Sequence, residues 1–208
     1  MLLDKNGNIH LNNLIKYPDN DYQVLREKAI KCTRCHLHET CQQVVMGKGT
    51  INNRIMFVGE GPGAQEDKKG IPFVGRAGIL LDKILNAVEI TRDDIYITNI
   101  VKCRPPGNRA PTIKEAKACS PILQAEIKLI NPKVIIPLGS TALKYLIDQN
   151  MSITKMRGKW IKRGNIFILP TFHPAYLLRN SNMKKVVWRD FKLIKKSLLR
   201  IEELKQQG

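Results

Sequence analysis

Four short stretches of the chain are apolar at nearly every position and rich in β-branched residues. A strand that is buried on one face alternates apolar and polar residues, whereas a strand covered on both faces is apolar throughout. The pattern therefore predicts four strands of a parallel sheet, at Arg54–Gly59, Ile95–Ile100, Lys133–Gly139 and Asn165–Phe172.

Segments with helical periodicity lie between and beyond these strands. In Gly78–Ile90, residues Leu81, Ile84, Leu85 and Val88 recur at the spacing that places them on one face of a helix. Comparable patterns predict four further helices, at Tyr22–Lys31, Lys114–Ile130, Ser140–Ile147 and Met183–Leu204.

The alternation of strands and helices predicts an α/β fold. Helices that connect parallel strands must cover both faces of the sheet, so we expect a three-layer αβα sandwich with a central four-stranded parallel sheet. At 208 residues the chain suits a single domain spanning residues 1–208. We expect the polar segment 1–21 to be a loosely ordered arm and Met46–Asn53 to be a loop.

The chain contains no targeting or membrane signal that the pattern of residues would reveal. No apolar run approaches the roughly 20 residues of a membrane span. The opening Met1-Leu2-Leu3 is followed at once by Asp4 and Lys5, which is unlike a secretory signal. We therefore expect a cytoplasmic protein.

Charge narrows the class of partner. The chain has 35 Lys and Arg residues against 18 Asp and Glu residues, a formal net charge of +17. Such an excess favours a polyanionic partner, and nucleic acid is the first expectation. A generally basic proteome or an adaptation for solubility is the alternative that composition leaves open.

Four cysteines form two pairs, Cys32 with Cys35 and Cys103 with Cys119. Two such pairs in a chain without a secretory signal favour a shared metal ligand over disulfides. Four thiolates suit either a tetrahedral zinc ion or a 4Fe–4S cluster, and spacing alone leaves both open. Four buried thiols are the plainer alternative, and Cys41 is either a bystander or an alternative ligand.

The ends of the predicted strands carry polar and glycine-rich residues. In open α/β sheets, ligands bind beyond the carboxyl ends of the strands. Glu60, Gly61 and Gly63 follow the first strand, Asn99 ends the second and His173 follows the fourth. An Asn side chain offers a donor beside an acceptor, which complements the edge of an amide-like base.

Each of these residues also has a plain structural interpretation. The glycines suit a tight strand-to-helix turn, and a lone histidine at a strand end is more often structural than catalytic. Phe73 lies between the first two strands and suits either a stacking face for a base or a position in the core.

Taken together and in order, these residues resemble one family, the iron–sulfur uracil-DNA glycosylases, which are family 4 of the uracil-DNA glycosylase superfamily. The resemblance spans roughly Cys32 to Phe191. It rests on Cys32-x2-Cys35, Gly59–Gly63, Pro72–Gly75, Thr98–Arg109, Cys119 and His173–Arg179.

The resemblance implies hydrolysis of the bond between uracil and deoxyribose in DNA, which leaves an abasic site in base-excision repair. The target base must first be flipped out of the duplex into a pocket. His173 would donate a hydrogen bond to uracil O2, assisted by backbone N–H groups of Gly61 and Gly63. Asn99 would contact the N3–H and O4 groups of uracil, and Phe73 would stack on the base.

The remaining roles concern water, DNA and the cofactor. Glu60 is the candidate for orienting the attacking water, while Glu66 and Asp67 are expected to cap the next segment or face solvent. The resemblance also implies a 4Fe–4S cluster held by Cys32, Cys35, Cys103 and Cys119. The loop Pro174–Leu178 would press into the duplex and Ser140 and Arg179 would contact phosphate, so the expected DNA-binding residues are Ser140, Pro174, Ala175, Leu177 and Arg179.

Related proteins that crosslink covalently to DNA carry a histidine in a loop after the second strand. Here that loop is Arg104–Arg109 and has no histidine, so turnover is expected. Two other classes stay open: a DNA-binding module of the same fold without catalysis, and a zinc-binding α/β protein that binds nucleotides. A monomer is expected in each case, because one compact domain needs no second subunit.

Overall fold

The computed structural model of the chain describes residues 2–6, 22–50 and 54–206. Within these residues six strands form one sheet, and they are β1 (Lys48–Gly49), β2 (Ile55–Gly59), β3 (Tyr96–Asn99), β4 (Val134–Pro137), β5 (Ile161–Arg163) and β6 (Ile166–Ile168). Their order across the sheet is β1-β3-β2-β4-β6-β5.

The four predicted strands form the centre of this sheet. Strands β3, β2, β4 and β6 are parallel neighbours, while β1 and β5 pair antiparallel at the two edges. The predicted α/β fold is confirmed, but the described sheet has six strands rather than four. Strand β1 also lies within the segment predicted as a loop. Two- and three-residue edge strands are too short to produce an apolar pattern, which is why the sequence does not reveal them.

The five predicted helices are present, and four short helices in the described residues were not predicted. In chain order the helices are α1 (Tyr22–Ile30), α2 (Leu37–Thr40), α3 (Ala64–Lys69), α4 (Arg76–Asn86), α5 (Ile113–Ile130), α6 (Gly139–Leu146), α7 (Ile153–Met156), α8 (Pro174–Arg179) and α9 (Lys184–Gln206).

Helices cover both faces of the sheet, as the three-layer prediction requires. On one face, α1, α5 and α6 pack against strand residues such as Met56 and Ile135. On the other face, α4, α8 and α9 pack against residues such as Phe57 and Ile136. Successive residues of one strand thus enter different cores, which explains why the central strands are apolar at most positions, with Thr98 and Asn99 of β3 as buried polar exceptions.

The first residues contribute to the first of these cores. Leu2 and Leu3 are buried, and their backbone N–H groups donate to carbonyl groups of Tyr145 and Leu146 in α6. The remainder of the predicted arm, residue 1 and residues 7–21, lies outside the described residues. None of the helices in the described part of the chain is long and apolar enough to cross a membrane.

Candidate active site and cysteine cavity

Asn99 lies at the carboxyl end of β3, directly opposite Gly59 at the end of β2. The Asn99 side chain is buried, and its Oδ1 atom has no hydrogen-bond partner among the described residues. A Cβ atom on Gly59 would lie 2.5 Å from this Oδ1 and closer still to the ring of Phe73. Glycine therefore leaves room for both side chains, and the Oδ1 atom faces a site where a ligand N–H could satisfy it.

Phe73 lies in the segment between α3 and α4 and is buried beside Asn99 and His173. Its backbone has a positive φ of 55°, which is uncommon for a large side chain. Arg92 stabilises this turn by donating to the Phe73 carbonyl at 2.6 Å, and Arg92 itself pairs with Asp82 at 2.6 Å. The ring centroids of Phe73 and His173 are 5.7 Å apart and tilted by 33°.

His173 immediately precedes helix α8 and caps it. Its Nδ1 atom accepts a hydrogen bond from the Ala175 backbone N–H at 3.1 Å. Burial lowers the pKa of His173 to about 4, partly opposed by the negative charge of Glu66 and assisted by the positive charge of Arg179. The ring is therefore neutral near pH 7. Because Nδ1 accepts, the ring proton is on Nε2, which is left as a donor.

Close packing also fixes the backbone beneath His173. Gly139, the first residue of α6, has a φ of 89°, a conformation that favours glycine. A Cβ atom at Gly139 would lie 2.9 Å from the Cβ atom of His173. The start of α6 and the start of α8 thus meet directly at the carboxyl edge of the sheet.

Glu66 joins two loops of the site. Its carboxylate accepts backbone N–H groups of Gly63 at 3.2 Å, Val74 at 2.9 Å and Gly75 at 2.7 Å. The capping interpretation of Glu66 is thereby confirmed. Asp67 is buried as well and accepts the Gln42 N–H at 2.9 Å, so the alternative that these carboxylates face solvent is wrong.

Glu60 is half-buried and directly follows Gly59. Its carboxylate accepts a short hydrogen bond from the Thr141 hydroxyl in α6. Gly61 packs against Val101, since a Cβ atom there would lie 2.8 Å from Val101 Cγ2. The sequence did not assign a role to Thr141, although its position at a strand-to-helix junction was a usable signal.

The segment after His173 differs from its prediction in two ways. Residues Pro174 to Arg179 form helix α8 rather than a loop. Leu177 is fully buried in the core, so its predicted contact with DNA is wrong, whereas Leu178 is 44% exposed. Neighbouring helix residues point about 100° apart, which explains how a shift of one residue moves a side chain from surface to core.

The other residues predicted to contact DNA lie near the same edge of the sheet and differ in how exposed they are. Arg179, the last residue of α8, is exposed. Ser140 and Ala175 are half-buried near the starts of α6 and α8, and Pro174 is buried.

Four cysteines from three separate parts of the chain line one cavity. Cys32 and Cys35 lie between α1 and α2, Cys103 follows β3 and Cys119 lies in α5, and all four face a space closed by residues such as Leu37 and Ile122. Burial raises the pKa of Cys119 to about 12, and it raises the pKa of Cys103 further. Cys41 lies beside Cys103 but lines an adjacent cleft.

A buried ion pair lies between the cysteine cavity and Asn99. Lys102, whose backbone N–H donates to Cys119 Sγ at 3.3 Å, pairs its ammonium with Glu126 of α5 at 2.6 Å. Sequence analysis assigned no role to either residue, because Lys and Glu are usually exposed.

Comparisons with known proteins agree with this arrangement. The family model of the Uracil DNA glycosylase superfamily matches residues 46–192. The chain is similar to a type-4 uracil-DNA glycosylase of Thermotoga maritima, with 49% identity over 179 residues, which cover 83% of this chain and 92% of that protein. It is also similar to type-4 uracil-DNA glycosylases of Sulfurisphaera tokodaii, at 44% identity over 82% of each chain, and of Saccharolobus solfataricus, at 43% identity over 84% of this chain and 85% of that one.

Proposed function

Because the chain belongs to the uracil DNA glycosylase superfamily, we propose that it flips uracil out of DNA and hydrolyses its N-glycosidic bond, leaving an abasic site. The predicted family and the enzymatic class are confirmed. The observation that carries the proposed chemistry is the Oδ1 atom of Asn99, which has no hydrogen-bond partner in the described part of the chain and is buried beside Gly59 and Phe73.

Uracil fits the polar groups that this pocket presents. The N3–H group of the base would donate to Asn99 Oδ1, and the Asn99 amide would donate to O4. Cytosine carries an acceptor at N3 and a donor at the neighbouring position, so it would oppose the same side chain with like groups. Phe73 would supply an aromatic face against the flipped base.

His173 would act on the charge that develops as uracil leaves. The neutral ring has its proton on Nε2, so it can donate a hydrogen bond to O2 as negative charge accumulates there. The backbone N–H group of Gly61 would add a further donor, whereas the N–H group of Gly63, also predicted as a donor to the base, already donates to Glu66 at 3.2 Å. Glu60 would orient the water, with its carboxylate fixed by Thr141.

Replacing Asn99 with Asp should lower uracil excision by roughly 10–100-fold, the loss expected when a buried hydrogen bond worth about 1–3 kcal/mol is replaced by an unsatisfied or repelled group. The amide donor to O4 is lost, while the size of the side chain is kept. Single-turnover rates on DNA with one uracil measure the effect. Excision of cytosine is measured in parallel, and an unchanged uracil rate would contradict the assigned role.

DNA would approach over the start of α6 and over α8. Residues 151–189 contain nine Lys and Arg residues and no Asp or Glu, so this part of the chain suits a polyanion. Ser140 and Arg179 would contact phosphate, Pro174 and Ala175 would shape the surface, and Leu178 would enter the space that the flipped base leaves.

Replacing Leu178 with Ala should lower excision from duplex DNA about 10-fold, because a wedge that offsets unstacking of a few kcal/mol is lost. Single-stranded DNA needs no such wedge, so its excision rate should stay unchanged. Leu199→Ala is the matched control, since Leu199 is 45% exposed on α9. Equal losses on both substrates would argue against a wedge.

We propose that the four cysteines hold a 4Fe–4S cluster. The thiols of Cys32, Cys35, Cys103 and Cys119 line one cavity. The type-4 uracil-DNA glycosylases to which the chain is similar support this choice of family, and the family resemblance favours the cluster over zinc. Burial raises the pKa of Cys103 and of Cys119. The positive charge of iron would favour the thiolate forms and so oppose this effect. When bound, the cluster would crosslink α1, the segment after β3 and α5.

Excision from a labelled oligonucleotide with one uracil, followed by alkaline cleavage of abasic sites, tests the proposed function. We expect strand cleavage at the uracil position and none with a thymine control. Tight DNA binding without abasic sites would favour a binding module instead. The monomeric state and the cytoplasmic location stay predictions.

A further inference from the structure

Lys102 is a buried charged residue that the chemistry described so far does not use. Its side chain is 1% exposed, and that of its partner Glu126 is 0% exposed. A buried ion pair often adds little stability, because removing both charges from water costs about as much as their attraction returns. The pair is better explained by a geometry that it imposes than by stability that it adds.

All three donors of the Lys102 ammonium are used. The Nζ atom donates to Glu126 Oε2 at 2.6 Å, to the Thr98 hydroxyl at 2.6 Å and to the backbone carbonyl of Asn99 at 2.7 Å. The last bond reaches the residue proposed to contact uracil. Asn99 is the last residue of β3, and it is the last residue of that strand in register with β2.

Glu126 accepts three further hydrogen bonds in addition to the one from Lys102. Its carboxylate accepts the Gly47 N–H at 2.8 Å, the Tyr96 hydroxyl at 3.0 Å and the Thr98 hydroxyl at 2.9 Å. Two of these donors lie on one face of β3, and the third is the residue before β1. Glu126 of α5 thus compensates the charge of Lys102, while the bonds of Lys102 to Thr98 and to the Asn99 carbonyl hold the end of the strand.

We propose that Lys102 is a positioning residue for uracil recognition, which holds the Asn99 carbonyl so that the Asn99 side chain points into the base pocket. The inference rests on the proposed function and extends it. The backbone of Lys102 is held in turn by its hydrogen bond to Cys119 Sγ. The residues between the strand end and the cysteine cavity are thus fixed at both ends, and the cavity and the uracil pocket share one rigid connection.

Three variants test whether Lys102 positions Asn99 or only compensates the negative charge of Glu126. Lys102→Met removes the bond to Asn99 and leaves Glu126 charged and buried. Lys102→Met combined with Glu126→Gln removes both charges and keeps the acceptor oxygen for Gly47 and Tyr96, while the amide NH2 group faces the Thr98 hydroxyl, which can rotate to accept. Glu126→Gln alone keeps the Lys102 bond to Asn99. Lys114→Met, on the exposed part of α5, controls for the loss of a positive charge.

Thermal unfolding measures the stability of each variant, and visible absorbance measures its cluster content. Single-turnover excision and inhibition by free uracil measure how well the pocket recognises the base. Lys102→Met should lower the unfolding temperature, and the double variant should recover most of it. Excision by the double variant should nevertheless stay at least 10-fold below wild type, with a similar rise in the inhibitory concentration of uracil and little change in the apparent KM for DNA. Glu126→Gln should lose stability but retain most excision.

Two results would overturn the inference. A double variant with wild-type excision and wild-type inhibition by uracil would show that Lys102 only compensates Glu126. If that variant does not fold, Glu126→Gln decides, because an excision loss as large as that of Lys102→Met would remove the special role of the Asn99 bond. Wild-type protein that neither excises uracil nor binds it would overturn the proposed function itself. The two results above differ from this one, because in both of them the wild-type protein is active.

Discussion

Replacing His173 with Ala is expected to lower the rate of uracil excision by about 10²–10³-fold, the loss that follows when one preorganised donor to a developing oxyanion is removed. The structure gives the ring the required state before substrate arrives. Nδ1 accepts the Ala175 N–H, burial keeps the ring neutral, and Nε2–H is left to donate. Single-turnover kinetics with excess enzyme measure the chemical step without product release.

The pH dependence provides a control for this assignment. The pKa of His173 is lowered to about 4 in the folded protein, against about 6.5 for a free histidine. Excision should therefore show no titration of this ring between pH 6 and pH 8. The unfolded chain binds the proton more tightly, so the contribution of His173 to stability is present above pH 6.5 and is lost as the pH falls toward 4. In His173→Ala that part of the pH dependence should disappear.

His173→Gln is the matched variant, because it keeps a donor without an ionisable ring. It should retain more activity than His173→Ala if hydrogen bonding to O2 is the role. An Ala variant that folds normally and excises uracil at the wild-type rate would contradict the assignment, and the donor would then have to come from the backbone of Gly61.

The central sheet could be predicted from sequence because burial on both faces demands apolar residues at nearly every position. The strands β2, β3 and β4 are buried along their whole length, whereas β6 is apolar but only partly buried, with Phe167 44% exposed. Their order in a parallel sheet then brings their carboxyl ends together. Asn99, Phe73 and His173 were predicted for this reason together with the family resemblance, and the structure does bring them together.

Features that depend on tertiary contacts could not be predicted in the same way. The family resemblance implied a loop from Pro174 to Leu178, but proline also suits the first position of a helix, and α8 begins with it. The roles of Lys102 and Glu126 depend on a partner 24 residues away in sequence. Neither local propensity nor periodicity contains that information, and base rates place both residue types at the surface.

Glu66 shows how the two kinds of information combine. Its position near the start of α3 predicted a capping role, and that role is present in its bond to Gly63. The additional bonds to Val74 and Gly75 connect this loop to the turn that carries Phe73. A helix cap thus also sets the distance between the glycine loop and the aromatic face of the site.

Replacing Cys119 with Ser is expected to prevent stable cluster binding and to unfold the protein at a much lower temperature. Cys119 connects α5 to the other three cysteines, so its loss would remove the crosslinks that the cluster makes. Between Cys35 and Cys103 alone, the crosslinked loop has roughly 70 residues, and closing such a loop raises the free energy of unfolding by about 4 kcal/mol in the chain-entropy description. For a domain of this size such a loss lowers Tm by roughly 8–16 °C. Iron analysis, visible absorbance and thermal unfolding measure the outcome.

Cys41→Ser is the matched control, because Cys41 lies beside Cys103 but does not line the cavity that the other four cysteines share. Cys41→Ser should keep the iron content, the visible absorbance and the Tm of the wild type. Cys119→Ser should lose the iron and the visible absorbance and should unfold at a lower temperature. If the two variants lose iron equally, Cys41 is a ligand and the assignment of the four cysteines is wrong. If wild-type protein contains one zinc ion and no iron, the cavity holds a single metal, and the crosslink between α1, the segment after β3 and α5 is made by zinc instead.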